Sequence, residues 1–184
     1  MKYNDVNIEE VKKLVGAVKE NRGMGQVRFS ATSTWGGGTK TNVTIGPLYA
    51  NQQNVAAPDR RFTMVVSEPP PLGGRDEGAN PVEYLLAGLC GCITAGLSTN
   101  GALFGVDFER IDLAIDFFQD VAGVFGLDDS ISNGGQEIVI RIDAKAKGDP
   151  AQVQKVKDVI MNKSPVKITL EQGIRITSDL NIIT

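Results

Sequence analysis

Histidine is absent from the 184 residues, and cysteine occurs only at Cys90 and Cys92. The first absence excludes Ser-His-Asp sites, Cys-His sites and histidine-ligated metal centres. The second excludes a disulfide framework, so the cysteines give no sign of secretion. Positive charge is in slight deficit: 19 Lys and Arg stand against 22 Asp and Glu, for a net −3. That balance argues against a nucleic-acid partner, because phosphate binding draws on a basic patch. The opening MKYNDVNIEEVKKL lacks the apolar run of a secretion signal. No stretch approaches the roughly 20 apolar residues expected of a membrane span. A cytoplasmic protein without a membrane partner is therefore expected. Any catalysis must use thiol, carboxylate, guanidinium, amine or hydroxyl groups.

What is present is a hydrophobic fraction of 41%, enough for a core in a single domain covering 1–184. Ile8, Val11, Leu14, Val15 and Val18 share one face, which predicts an amphipathic helix over about 8–21 capped by Asn7. This N-terminal helix must lie on something, since an isolated helix of that length is marginal in water. Residues 25–34 and 39–46 alternate and predict two strands joined at Gly36-Gly37-Gly38. Residues 47–60, polar and with prolines, predict a loop, and Arg61–Val66 a short third strand. The stretch from Pro69 through Gly78 is too rich in proline and glycine for regular pairing.

Residues 80–103 are the most apolar segment. Asn80 suits a cap, and Pro81 the first helical position, where its missing donor costs nothing. Leu85, Leu86, Leu89, Cys92, Ile93 and Leu97 cover much of the surface, which marks a central helix. Gly88, Gly91 and Gly96 each cost about 1 kcal/mol against alanine in mid-helix, so they point to close packing against another backbone. Two long alternating strands follow, around Ile111–Phe117 and Ile138–Ile142, joined by a glycine-rich, acidic loop at 121–134. Asp149-Pro150 opens another helix, Ser164-Pro165 breaks it, and 165–171 form a short one. Ile174, Ile176, Leu180 and Ile182 predict a last strand. Helices and strands are grouped, which argues an α+β class.

Two motifs carry a family resemblance. GGRDEGANPVEYLLAGLCGC (73–92) is a glycine-rich loop, then Asn-Pro, then a helix with a cysteine twelve residues after the asparagine. SPVKITL (164–170) stands where a Cys-Pro-Val segment would follow the penultimate helix. With the element order, these resemble the OsmC/Ohr proteins, named for osmotic induction and organic-hydroperoxide resistance. The resemblance implies a two-layer α+β fold, with antiparallel sheets packed on a long central helix. It also implies an intertwined homodimer with sites at the subunit interface. The implied chemistry is oxidation of a peroxidatic thiol to a sulfenic acid, a second thiol that resolves it, and an arginine and a glutamate that activate the first. No metal or organic cofactor is implied.

Cys92 matches the peroxidatic position, but the other three positions depart. The resolving position is Ser164, whose hydroxyl makes no disulfide. The glutamate expected directly after Asn-Pro is Val82. Glu83 comes one residue later, rotated by about 100°. The turn that carries arginine in the Ohr branch reads Trp35-Gly-Gly-Gly-Thr-Lys40, so Lys40 or Arg75 is left as the candidate cation. Cys90 points about 200° away from Cys92 on a helix, out of disulfide reach without local unwinding.

Two readings follow. The first is a one-cysteine organic hydroperoxide reductase with an external thiol reductant, Cys92 as nucleophile, and Glu83 and Arg75 as candidate electrostatic partners. The second is a non-catalytic homodimer that binds a small apolar ligand at the subunit interface. Each candidate also has a plain role. Cys92 suits core packing, and Glu83 suits the positive end of a helix. Asp112, Asp116 and Asp120 lie on one strand face and do not converge as a hard cation requires. Trp35 is expected to be a partly buried sheet-edge aromatic.

Overall fold

The structure, a computed structural model, describes residues 3–182. Helices mix with antiparallel strands, as an α+β class requires. The chain divides into two compact units, Asn7–Ala87 and a second formed by residues up to Val6 with those from Gly88 onward. No linker marks the junction because it falls within the long helix α2 (Pro81–Phe104).

In the unit Asn7–Ala87, α1 (Ile8–Glu20) starts at Asn7, whose side chain accepts the Glu10 amide at 3.5 Å. No residue of α1 is buried, and Leu14 is 57% exposed, so the apolar face has little covering it. Strand β2 (Thr41–Ala50) is the hub of a four-stranded antiparallel sheet. It pairs with β1 (Val27–Trp35) along one edge, and with β3 (Gln53–Asn54) and β4 (Phe62–Val66) along the other.

The loop expected from residue 47 is instead strand as far as Ala50. Proline is accommodated because the register shifts there. Phe29 faces Leu48 and Ala31 faces Ile45, so Gly46 and Pro47 together oppose Ser30 in a bulge that needs no ladder donor. Trp35, expected to be partly buried, is 75% exposed, and its ring N–H donates to Gly38 O at 2.9 Å. Asn80 and Glu83 form a reciprocal capping box at the start of α2. The Glu83 amide donates to Asn80 Oδ1 at 2.8 Å, and the Asn80 amide to Glu83 Oε2 at 2.7 Å. Tyr84 of the first turn donates its hydroxyl to Val65 O at 2.8 Å, tying α2 to β4.

In the other unit, Leu89, Ile93 and Leu97 recur every four residues on α2 and are fully buried. They pack with Val156 and Ile160 of α4 (Pro150–Lys163) and with the hairpin of β5 (Asp107–Phe118) and β6 (Glu137–Lys147). Asn4 anchors the N-terminal residues here. Its amide donates to Ser98 O at 2.9 Å and Val106 O at 3.0 Å, and its carbonyl accepts the Phe108 N–H at 2.6 Å. Of the three mid-helix glycines, Gly88 and Gly91 face open space. At Gly96 an added Cβ would lie 2.6 Å from Ile160 Cδ1, so the close neighbour is a side chain of α4, not a backbone.

Three further expectations change. The 121–134 connection contains a short helix α3 (Val121–Val124), capped by the Asp120 carboxylate on the Ala122 amide at 2.9 Å. Residues 174–182 form no strand. No regular structure is assigned to them, and Ile176 and Leu180 are 85% and 86% exposed. Helix α2 is long and apolar enough to cross a membrane by length and composition, with a mean hydropathy of 1.4. The single acidic residue in its 24 positions stands at its start, so an uncharged window follows.

Gly96→Ala is expected to lower stability by about 1–3 kcal/mol through overpacking against Ile160, read as a shift in the urea unfolding midpoint at unchanged slope.

Candidate functional site

Cys92 lies one turn before Gly96 on α2, and Ser164 lies one turn after Ile160, just past the end of α4. The tight Gly96–Ile160 contact therefore carries the two flanking positions together. Cys92 is half-buried and lines an open cleft of about 340 Å³. Its thiol is thus not sealed in the core, as a purely packing role would require. The lining is mostly small or apolar, including Ala95, Val159 and Pro165, with Thr99, Asn100 and Lys163 as polar members.

Ser164 is 1% exposed, and its hydroxyl donates to Cys92 Sγ at 3.2 Å. The same oxygen accepts the Lys167 amide at 3.5 Å and caps the helix α5 (Pro165–Gln172). A buried hydroxyl is costly unless it is bonded, and both of its functions are used here. The Cys92 sulfur thus meets an O–H donor at the start of α5. The resemblance, which puts 164 at the resolving position, implies this proximity. Cys90 is a free, half-buried thiol.

A second cleft, about 260 Å³ and polar, lies in the other unit. Two glycine-rich turns form it, Gly36–Lys40 and Gly73–Glu77, with buried Ser67. The turns depend on missing side chains. Gly37 and Gly73 take φ of +92° and +80°, and a Cβ on Gly74 would meet Glu68 O at 1.6 Å. Lys40 Nζ and Glu77 Oε1 pair at 2.9 Å. The hydrogen bond from Lys40 is the main reason the Glu77 carboxyl is held below the usual carboxylate range, and the charges of Lys40 and Arg75 add to it.

Arg75 is exposed and lines this cleft, and Glu83 is engaged in the capping box. Both belong to the unit Asn7–Ala87, whereas Cys92 belongs to the other. Glu77 is not among the residues the sequence motifs single out. The signal that marks it is a carboxylate closing the second of two glycine turns that each carry a cation. The strand aspartates have local partners: Asp112 pairs with Arg110, and Asp116 with Arg141 at 2.6 Å. Asp120 caps α3.

Because Glu77 is lowered in the folded chain, its pairing stabilises above the unfolded carboxylate pKa and is lost as pH falls through the folded value. Lys40→Met should return Glu77 toward its ordinary value, and Arg75→Ala should move it less. Carbon-13 carboxyl titration by NMR measures both shifts.

A comparison with curated proteins found no match. Among solved structures, an OsmC-like protein from Mycoplasma pneumoniae is 14% identical, with a TM-score of 0.58 over 80% of this chain and 89% of that one. An OsmC-like protein of unknown function from Vibrio cholerae is 13% identical, with a TM-score of 0.59 over 78% of this chain and 94% of that one. At such identities the likeness establishes a shared fold. The match that extends to sequence is that of the family model described as OsmC-like protein, which spans residues 74–179, and the chain belongs to that family.

Proposed function

We propose that the protein is a one-cysteine, thiol-dependent organic hydroperoxide reductase of oxidative-stress defence, with Cys92 as the nucleophile. The observation that carries this reading is the buried Ser164 hydroxyl donating to Cys92 Sγ at 3.2 Å beside an open cleft. In the proposed step, the Cys92 thiolate attacks the outer peroxide oxygen. The O–O bond breaks, the alkoxide takes a proton and leaves as the alcohol, and Cys92 becomes a sulfenic acid. Ser164 stabilises the thiolate and then the sulfenic acid by the same hydrogen bond. As it makes no disulfide, an external thiol must complete the cycle. A cytoplasmic setting fits, since reducing thiols are kept available there.

Arg75 and Lys40 remain the candidate cations for the arginine that the resemblance implies, and Glu83, held in the capping box, is the candidate carboxylate. The resemblance also puts such sites at a subunit interface, and a homodimer is part of the proposal. Uncovered apolar side chains support it: Phe29 is 72% and Ile176 85% exposed in the single chain. A second reading, binding of a small apolar ligand without catalysis, is favoured by one feature. A cleft of about 540 Å³ lies between β6 and α4, lined by Leu97, Phe108, Ile140, Ile142, Val153 and Met161 among others.

With cumene hydroperoxide and a thiol, the wild type should consume peroxide and form a dimedone-trappable sulfenic acid at position 92. Cys92→Ser should abolish both. Ser164→Ala should slow oxidation about tenfold, with Ser164→Thr restoring most of the rate. Equal, negligible rates for wild type and Cys92→Ser would leave the ligand-binding reading standing. Light scattering on the eluting protein should give twice the mass of the 19.7 kDa chain.

A further inference from the structure

The Cys92 cleft has a single formal charge among its lining residues, Lys163, and no carboxylate. Lys163 lies in the last turn of α4, where any cation favours the helix end. Its neighbours on α4 and α5 are otherwise engaged. Lys157 pairs with Asp158, Lys167 pairs with Glu171, and Lys155 stands 5.3 Å from the Phe104 ring centre. Among the described residues, Lys163 has neither an ion pair nor a side-chain hydrogen bond, and it lines the cleft that holds the thiol. At about 340 Å³ the cleft is at the small end of pockets that take small molecules. Its lining includes Ala95 and Val159, suited to a short aliphatic chain.

We propose that this cleft selects small anionic monothiols, whose carboxylate pairs with Lys163 while their sulfur meets Cys92. The inference rests on the reductase reading for its place in the cycle and supplies the chemical class of the resolving thiol. With serine at 164, no sulfur of the chain competes for that step, because Cys90 is turned about 200° around the helix. The thiolate of the small monothiol attacks the sulfur of the Cys92 sulfenic acid. An S–S bond forms, the S–O bond breaks, and hydroxide leaves as water after taking a proton. A second monothiol then attacks the small molecule's sulfur in the mixed disulfide. Cys92 leaves as thiolate, and the two monothiols end as their disulfide, having supplied the two electrons that reduced the peroxide.

The selection step is testable without peroxide, through exchange of reduced Cys92 with small disulfides of different charge. The full chain carrying Cys90→Ser, so that Cys92 is the one thiol, is mixed with dithiodipropionate, hydroxyethyl disulfide or cystamine. Adduct formation is timed by intact mass. The anionic disulfide should react about fivefold faster than the neutral one, and the cationic one slowest. Added salt should compress this order. Lys163→Gln should level the three rates, and Lys163→Glu should invert them. Three equal rates in the parent, or an order unchanged by Lys163→Gln, overturns the proposal. If the charge order holds but peroxide yields no sulfenic acid, the reductase reading fails and the anion-selective cleft stands. Sulfenic acid without a charge order removes the anion-selective cleft and leaves the reductase reading in place.

Discussion

The contact between Gly96 on α2 and Ile160 on α4 sets the spacing on which the rest depends. With no side chain at 96, the Ile160 side chain reaches to within 2.6 Å of where a Cβ would stand, so the α4 side chain packs directly on the α2 backbone. One turn away along each helix, that approach delivers Ser164 to Cys92. The same approach closes the core. Leu89, Ile93 and Leu97 on one helix meet Val156 and Ile160 on the other, with the β5–β6 hairpin against them. Burial of each large aliphatic side chain contributes about 1.5–3 kcal/mol, which outweighs the ~1 kcal/mol a mid-helix glycine costs against alanine. A propensity defect at one position is thus tolerated because it gives a better packed core and a defined place for the thiol.

Local chemistry is legible in the sequence wherever the rule that governs it is local. Asn7, Asn80 and Asp149 cap the helices their positions predict. The alternation in β5 and β6 predicts their register face, and the family resemblance implies that Cys92 and Ser164 meet. Features set by distant partners are not legible. Pro47 reads as a loop residue until its strand is seen to bulge opposite Ser30. Residues 174–182 read as a strand by alternation, yet a strand exists only when another backbone pairs with it. Alternation specifies which face is apolar and says nothing of the neighbour. The Lys40–Glu77 pair spans 37 positions and joins two loops, where no periodicity operates. Lys163 is invisible for a different reason, since a lysine in the last turn of a helix already satisfies a common rule.

Serine at 164 stands where the resemblance puts a thiol, and the proposed function reads it as part of a working site. Loss of function predicts relaxation: an apolar residue packed against an inert sulfur, or a sulfur closed off from solvent. Here the buried oxygen has two partners with different demands. The Lys167 amide donates to it, which leaves its own proton for an acceptor, and the nearest acceptor is the sulfur. A neutral thiol is a weak acceptor, and a thiolate or a sulfenic oxygen is a strong one. The hydrogen bond therefore gains strength as Cys92 takes on negative charge. Under the proposed function, such a bond would act by differential binding of the oxidised form, without joining the covalent chemistry. The second thiol and this hydroxyl then differ in one respect only. In the proposed cycle a second thiol would end the reaction inside the protein, whereas the hydroxyl would leave the intermediate open to an external reductant.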